Sequence, residues 1–196
     1  MFAHGAGAGM RHAFMEAAAQ RLAAHRIASL RYQFPYVERG RKSPDRPPVL
    51  VGTVRAAVAE AARLASGLPL FAGGKSMGGR MTSTAAAERP LDGVRGLVFF
   101  GFPLHPAGRP GTERGAHLAE VGLPMLFLQG TRDSLADLEL LRPLLGRVRL
   151  RPTLHVIEDA DHGFHVRKRS GRTDEDVLEE MCATAAAWCL SLAEGA

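Results

Sequence analysis

Three side chains in this sequence have the types and the order that nucleophilic catalysis requires. Ser76 lies within Gly74–Gly78, which matches the pattern Gly-x-Ser-x-Gly, and Asp133 and His162 follow it along the chain. A serine hydroxyl attacks efficiently when a histidine takes its proton and a carboxylate orients that histidine. We therefore expect Ser76 to be the nucleophile, His162 the base and Asp133 the residue that orients the base.

Other residues compete for two of these roles. Asp137 is an alternative acid, although it lies inside a predicted helix rather than at the end of a strand. His165 is an alternative base, but His162 is closer to the preceding strand. Asp133 alone would also be explained as the N-cap of the following helix. Asp161 is expected to shape the turn before the histidine.

The main-chain donors for an oxyanion hole can also be assigned. A serine between a strand and a helix must occupy a very tight turn with strained backbone angles, which glycines on both sides permit. The amide of Met77, at the start of the next helix, would then donate to the developing oxyanion. The glycine-rich segment His4–Gly7 is expected to supply the second donor, the amide of Ala6.

These residues follow apolar runs that are predicted to be strands of one sheet. The expected strands are 27–34, 67–73, 96–101, 124–130 and 153–157, with a strand remnant at residues 2–3. Helical segments alternate with them, the first over 10–26 and the last over 174–192. This alternation predicts an α/β fold with a doubly wound, mostly parallel sheet, formed by a single domain over residues 1–196. In such a sheet the functional residues gather at the carboxyl ends of the strands.

Composition and charge exclude several other classes of protein. The chain has 196 residues and a net charge of +5, with basic clusters that lack interleaved aromatic residues, so we expect no nucleic-acid partner. No apolar run reaches transmembrane length and no secretory signal is recognisable, which predicts a cytoplasmic protein without a membrane partner. Cys182 and Cys189 are seven residues apart in a predicted helix, too far for a mutual disulfide, and no metal site is expected.

At these residues the chain resembles the α/β-hydrolase superfamily. More narrowly, it resembles the small single-domain branch near the dienelactone hydrolases, which includes the testis-expressed 30 and KANL3-like hydrolases. The segments that carry the resemblance are His4–Met10, Arg31–Tyr36, Gly74–Arg80, Gly101–Pro103, Gly130–Asp133 and Asp161–His165. The resemblance implies a Ser76–Asp133–His162 triad, no cofactor, and hydrolysis of an ester or related acyl bond. Dienelactone hydrolases carry a cysteine nucleophile, whereas this chain has serine.

The resemblance also implies the shape of the sheet and of the site. Relatives have strands before the His-Gly turn, whereas only three residues precede it here, so we expect an α/β-hydrolase fold lacking the N-terminal strands. No lid domain is expected. Short segments with Phe34 and Tyr36, and with Phe102 and Pro103, are expected to line an open site together with Gly5. Such a site favours a small-molecule ester or acyl substrate, or an acyl group presented on a surface.

An alternative function belongs to a different class. A non-catalytic, hydrolase-like module could bind protein partners through its basic loops, as the resemblance to the KANL3-like proteins allows. A complete triad argues against this alternative, because a scaffold has no physical need for all three groups. The sequence leaves the acyl group, the leaving group and the oligomeric state open.

Overall fold

The computed structural model describes residues 1–195 and places six strands in one sheet in which all neighbouring strands are parallel. The strands are β1 (Phe2–Ala3), β2 (Arg31–Tyr32), β3 (Leu70–Lys75), β4 (Val94–Phe100), β5 (Met125–Gly130) and β6 (Thr153–Ile157). Their order across the sheet is β2-β1-β3-β4-β5-β6. The chain reverses direction across the sheet after β2, so the carboxyl ends of β1 and β3 face a common crevice.

Helices cover both faces of this sheet. They are α1 (Ala13–Ala24), α2 (Pro35–Glu38), α3 (Pro47–Leu64), α4 (Met77–Glu88), α5 (Leu138–Gly146) and α6 (Asp174–Glu194), with 3-10 helices at Glu113–Glu120 and Lys168–Ser170. The buried side chains of α1 and α6 belong to one apolar cluster, and those of α3, α4 and α5 belong to another. No helix within residues 1–195 is both long and apolar enough to cross a membrane.

The central strands are apolar on both sides because each side meets a layer of helices. Successive residues of β4 and β5 point to opposite faces of the sheet. Phe99 and Phe127 pack together on the α3–α4 side, with ring centroids 4.7 Å apart. Val98 and Leu126, one residue earlier in each strand, pack on the α1–α6 side. Two separate cores therefore share one sheet, and the predicted doubly wound architecture is confirmed.

The boundaries of the N-terminal elements differ from the sequence prediction. The strand expected over 27–34 is reduced to Arg31–Tyr32, because β2 pairs only with β1 and β1 contributes two residues to that ladder. Arg26 has a positive φ of 66° and turns the chain after α1, so the part of the predicted strand before Arg31 is irregular. α1 begins at Ala13 instead of residue 10, since the His12 side chain accepts a hydrogen bond from the Phe14 N–H.

Candidate active site

Ser76 occupies a tight turn between β3 and α4. Its backbone has φ 51° and ψ −120°, a conformation that a residue with a side chain adopts only under strain. The chain can make this turn because glycines contact β1 closely. A Cβ on Gly74 would lie 2.4 Å from the Ala3 carbonyl oxygen, and one on Gly78 would lie 2.6 Å from the His4 carbonyl oxygen. This turn and β1 therefore fit together only with glycine at both positions.

A continuous chain of hydrogen bonds joins Ser76, His162 and Asp133. The His162 Nδ1–H donates to Asp133 Oδ2 at 2.7 Å, and His162 Nε2 accepts from the Ser76 hydroxyl at 2.8 Å. The Asp133 side chain is 1% exposed, whereas the His162 side chain is 22% exposed. A buried carboxylate thus fixes the tautomer of a partly accessible histidine, which is the arrangement a histidine base needs.

Asp133 is held by two further donors. Its Oδ1 accepts the Leu135 N–H at 2.7 Å, and its Oδ2 accepts Gln129 Nε2–H at 2.5 Å. Gln129 is fully buried, and its Oε1 accepts the Phe102 N–H at 2.9 Å. Sequence reasoning missed Gln129, although a lone amide at the end of an apolar strand was a usable indication.

The alternative acid and base have other hydrogen-bond partners. Asp137 caps α5 by accepting the Glu139 N–H at 2.8 Å. His165 pairs with Asp174 at 2.6 Å, and both of these side chains are largely exposed. Its hydrogen bond to that carboxylate raises the pKa of His165 above the usual value. Neither alternative residue hydrogen-bonds to Ser76.

The turn that carries His162 is stabilised by Asp161. Its Oδ1 accepts the N–H of Gly163 at 2.8 Å and the N–H of His165 at 3.0 Å. Phe164 has a positive φ of 69° within this turn, so the chain reverses immediately after His162. The expected role of Asp161 in shaping the turn agrees with these contacts.

Lys75 also contacts the His162 turn, from the end of β3. Its Nζ donates to the carbonyl oxygen of His162 and lies 4.6 Å from the ring centroid of Phe164 and 5.6 Å from that of Phe14. Burial lowers the pKa of Lys75 to about 8, although the nearby Asp133 carboxylate acts in the opposite direction. Lys75 was not singled out from the sequence, because only the fold brings its ammonium group against the histidine turn.

The two segments assigned to the oxyanion hole lie on either side of Ser76. Met77 is the first residue of α4, where backbone N–H groups have no intrahelical partner. Gly5 and Ala6 follow β1 in a turn beside the same cavity as Ser76. A Cβ on Gly5 would lie 3.6 Å from Ser76 Cβ, so this turn is in direct contact with the serine.

Phe34 and Tyr36 do not line the cavity, contrary to expectation. Both are fully buried, since their rings pack into the core beneath the His4–Gly7 turn. The Tyr36 hydroxyl accepts the Gly7 N–H at 3.3 Å, and His4 Nε2 accepts the Phe34 N–H at 3.1 Å. Burial lowers the pKa of His4, which favours the neutral imidazole that this hydrogen bond requires. These side chains support the turn from below.

Phe102 and Pro103 are likewise buried outside the cavity. The Phe102 ring packs against Phe99 and Phe127, with centroids 5.5 Å away in each case. Both side chains are therefore shielded from water and do not line the cavity. Gly5 is thus the one member of the expected substrate-contacting set that borders the cavity.

A cavity of about 670 Å³ lies beside the serine. Its lining includes Ser76, His162, Gly5 and Ala6, so it gives access to the hydroxyl, the base and the glycine-rich turn together. That volume is within the range of small-molecule sites. The cavity continues toward α1 and α6, a part of the fold that the sequence did not associate with the site.

Residues 1–190 match the alpha/beta hydrolase domain family, and the chain belongs to that family. Among solved structures, it is similar to an alpha-beta serine hydrolase homologue from Coxiella burnetii, at TM-score 0.74 and 19% identity over 94% of this chain and 83% of that one. It is also similar to a dienelactone hydrolase from Anabaena variabilis, at TM-score 0.70 and 22% identity over 97% and 84% of the two chains.

A third similar structure is an α/β serine hydrolase without a lid from Xanthomonas campestris. Its TM-score is 0.71, with 23% identity over 95% of this chain and 81% of that one. These similarities in fold, together with the family match, define a small α/β-hydrolase domain.

Proposed function

We propose that this protein is a cofactor-independent serine hydrolase that cleaves an ester or related acyl bond of a small-molecule substrate. The observation that carries the proposal is the hydrogen-bonded series from Ser76 through His162 to the buried Asp133, on a strained turn that faces a cavity. Strain of this kind is retained where the surrounding structure holds it in place, and it concentrates at functional sites.

The reaction would proceed through an acyl-enzyme. The Ser76 oxygen attacks the carbonyl carbon while His162 Nε2 accepts the hydroxyl proton, and the carbonyl oxygen becomes an oxyanion. The amides of Met77 and Ala6 would donate to that oxyanion. Collapse of the tetrahedral intermediate breaks the bond to the leaving group, which takes the proton from His162.

Deacylation repeats the same steps with water as the nucleophile. His162 accepts a proton from a water molecule as its oxygen attacks the acyl carbon, and it then returns that proton to Ser76. The products are a carboxylic acid and the free enzyme. Asp133 stabilises the imidazolium in both halves and keeps its own negative charge.

Hydrolysis of p-nitrophenyl acetate tests the proposal. Wild-type protein is expected to turn the ester over, and Ser76→Ala to reduce kcat by roughly 10⁴-fold or more while remaining folded. Ser191→Ala, an exposed serine on α6, is the matched control and should retain full activity. A Ser76→Ala variant with more than a tenth of wild-type kcat would contradict the proposal.

A further inference from the structure

The cavity beside Ser76 extends along the contact between α1 and α6. Phe14, Ala17 and Arg21 of α1 line it, and Leu178 contributes from α6. The three α1 residues are at positions i, i+3 and i+7, so they lie on one face of the helix. At 1.5 Å per residue, the distance along the axis from Phe14 to Arg21 is about 10.5 Å. We call the space lined by these four residues the α1–α6 trough.

One end of this trough is at the reacting groups. Phe14 lies at that end, because the Nζ of Lys75, the residue before Ser76, is 5.6 Å from its ring centroid. Phe164, two residues after His162, stacks on Phe14 with ring centroids 6.0 Å apart. A chain attached to a carbonyl at Ser76 would therefore enter the trough past two aromatic rings.

The trough wall formed by Phe14, Ala17 and Leu178 is apolar, Asp174 and Glu175 of α6 also border the cavity, and the far end is electrically balanced. Ala17 and Leu178 offer only hydrocarbon surface, and Leu178 is itself buried. At the far end Arg21 Nε is 3.7 Å from a carboxylate oxygen of Glu179, whose other oxygen is 2.6 Å from His25 Nε2. Since Glu179 already neutralises Arg21, the trough has no unbalanced cation that would require an anionic chain terminus.

We propose that the α1–α6 trough binds an unbranched, uncharged alkyl chain of the ester substrate. An extended chain of single bonds advances about 1.2 Å per bond, so a trough of this length accommodates roughly eight carbon atoms. The inference rests on the proposed serine hydrolase function and adds the chemical class of the substrate. It differs from the expectation of an open site that favours small or surface-presented acyl groups.

Each methylene group that enters the trough leaves water and contributes to binding of the transition state. Burial of one methylene corresponds to a gain of about threefold to fourfold in kcat/KM. We therefore expect kcat/KM to rise by about this factor per methylene up to roughly eight carbons. Beyond that length the chain end reaches the Arg21–Glu179 pair, so further methylenes should bring no gain.

Two ester series measure this dependence and locate the chain. In one series the acyl chain of p-nitrophenyl esters is varied from two to twelve carbons. In the other, the alcohol of alkyl acetates is varied over the same range. A rise followed by a plateau in the first series supports an acyl chain in the trough, and the same profile in the second supports an alkyl leaving group.

A blocking variant ties the profile to the trough. Ala17→Phe places a ring between the two helices and should lower the ratio of octanoyl to acetyl kcat/KM by about tenfold or more. Ala23→Phe makes the same change at an exposed position of α1 and should leave that ratio within twofold of the wild-type value. If Ala17→Phe fails to fold, Leu178→Ala is used, and its wider trough should raise kcat/KM for branched chains relative to unbranched chains of the same length.

The possible failures are distinguishable. Active wild-type enzyme with a flat profile in both ester series would overturn the inference and leave the proposed function intact. An Ala17→Phe variant that folds and keeps the wild-type ratio would also overturn it. Absence of turnover with every ester, together with absence of reaction at Ser76, would overturn the proposed function and with it the basis of the trough.

Discussion

Two residues next to the proposed triad hold its aspartate and its histidine in place. Gln129 donates to the Asp133 carboxylate from inside β5, and Lys75 donates to the carbonyl oxygen of His162 from the end of β3. Neither side chain touches the Ser76 hydroxyl, so both act as positioning residues. Gln129, which does not line the cavity, should affect how fast the bound substrate reacts more than how tightly it binds, whereas Lys75 also borders the cavity.

Gln129→Met keeps the volume of the side chain but removes its donor and acceptor. A hydrogen bond to a charged group contributes about 1.5–3 kcal/mol, so we expect kcat to fall about tenfold to hundredfold. KM should stay within twofold, because Gln129 is not part of the cavity lining. Gln20→Met, at an exposed position of α1, is the control in steady-state kinetics. A change in KM without a change in kcat would argue against a positioning role.

Lys75→Met should stabilise the protein while slowing catalysis. The pKa of Lys75 falls from 10.5 to about 8 on folding because the charged form is desolvated. Between these values the unfolded chain binds more protons, so the free energy of unfolding should rise as pH increases from about 8 toward 10.5. At pH 7 the variant avoids burying this charge and should gain on the order of 2 kcal/mol.

Denaturant titrations at several pH values measure this effect. The wild-type increase in stability above pH 8 should be absent in Lys75→Met and present in Lys168→Met, which removes an exposed lysine. Parallel pH profiles of wild type and Lys75→Met would show that Lys75 does not carry the titration. The kcat of Lys75→Met should also fall, because the His162 turn loses its donor.

The residues of the proposed triad could be found from the sequence, which also offered an indication of Gln129, whereas the contacts made by Gln129 and Lys75 could not. Ser76 belongs to a local motif, and Asp133 and His162 follow recognisable strands. Lys75 and Gln129 act through contacts with residues 87 and 4 positions away, respectively, and nothing in the local sequence specifies those contacts. Tyr36 illustrates the opposite error. It was expected to contact substrate, but it is buried in the core beneath the His4–Gly7 turn.

At the scale of elements, the serine turn depends on close contact between α4 and β1. Gly78 lies in α4, and a Cβ there would be 2.6 Å from the His4 carbonyl oxygen and 2.7 Å from the Ala3 side chain. Both contacts are with β1 or the residue that follows it. Relief would require α4 to move away from the turn that carries Ala6, and thus from the second proposed oxyanion donor.

Gly78→Ala is therefore expected to lower both stability and kcat. Clashes with backbone atoms in a packed core cost about 1–3 kcal/mol, and displacement of the turn should reduce kcat more than tenfold. Gly52→Ala is the matched control in α3, where a new Cβ would meet nothing within 4 Å. It should stabilise the protein by about 0.5–1 kcal/mol in thermal unfolding. The reverse ranking of the two variants would contradict this account.

The bounds of helices and strands were predicted well where the local sequence marks them clearly. β6 has the predicted bounds of residues 153 and 157, and α4 ends at residue 88, where the sequence Arg89-Pro90 disfavours a helix. β2 is much shorter than predicted, because the length of a strand depends on the partner with which it pairs. That partner is β1, so hydrophobic pattern alone could not set the limit.

At the scale of the whole molecule, the two cores hold the strand ends in register. Phe127 on β5 is fully buried, and its ring centroid is 4.7 Å from that of Phe99 on β4. β5 ends at Gly130, three residues before Asp133. Packing between β4 and β5 thus helps to hold Asp133 at its distance from the strands that precede Ser76 in the sheet.

Phe127→Ala should cost about 3–5 kcal/mol, a large part of the 5–15 kcal/mol that stabilises a typical domain. Leu68→Ala removes a side chain that is 62% exposed, and it should change stability by less than about 0.5 kcal/mol. Urea unfolding at constant pH compares the two. Equal losses would indicate that the Phe99–Phe127 contact does not control the stability of the sheet.

The central claim is that Ser76 is an activated nucleophile in the folded protein. Reaction with a fluorophosphonate probe, followed by mass spectrometry of the digested protein, tests it most directly. We expect wild-type protein to be modified stoichiometrically at Ser76, and His162→Gln to react at least a thousandfold more slowly. Folded wild-type protein that remains unmodified, or that is modified at a different serine, would contradict the account.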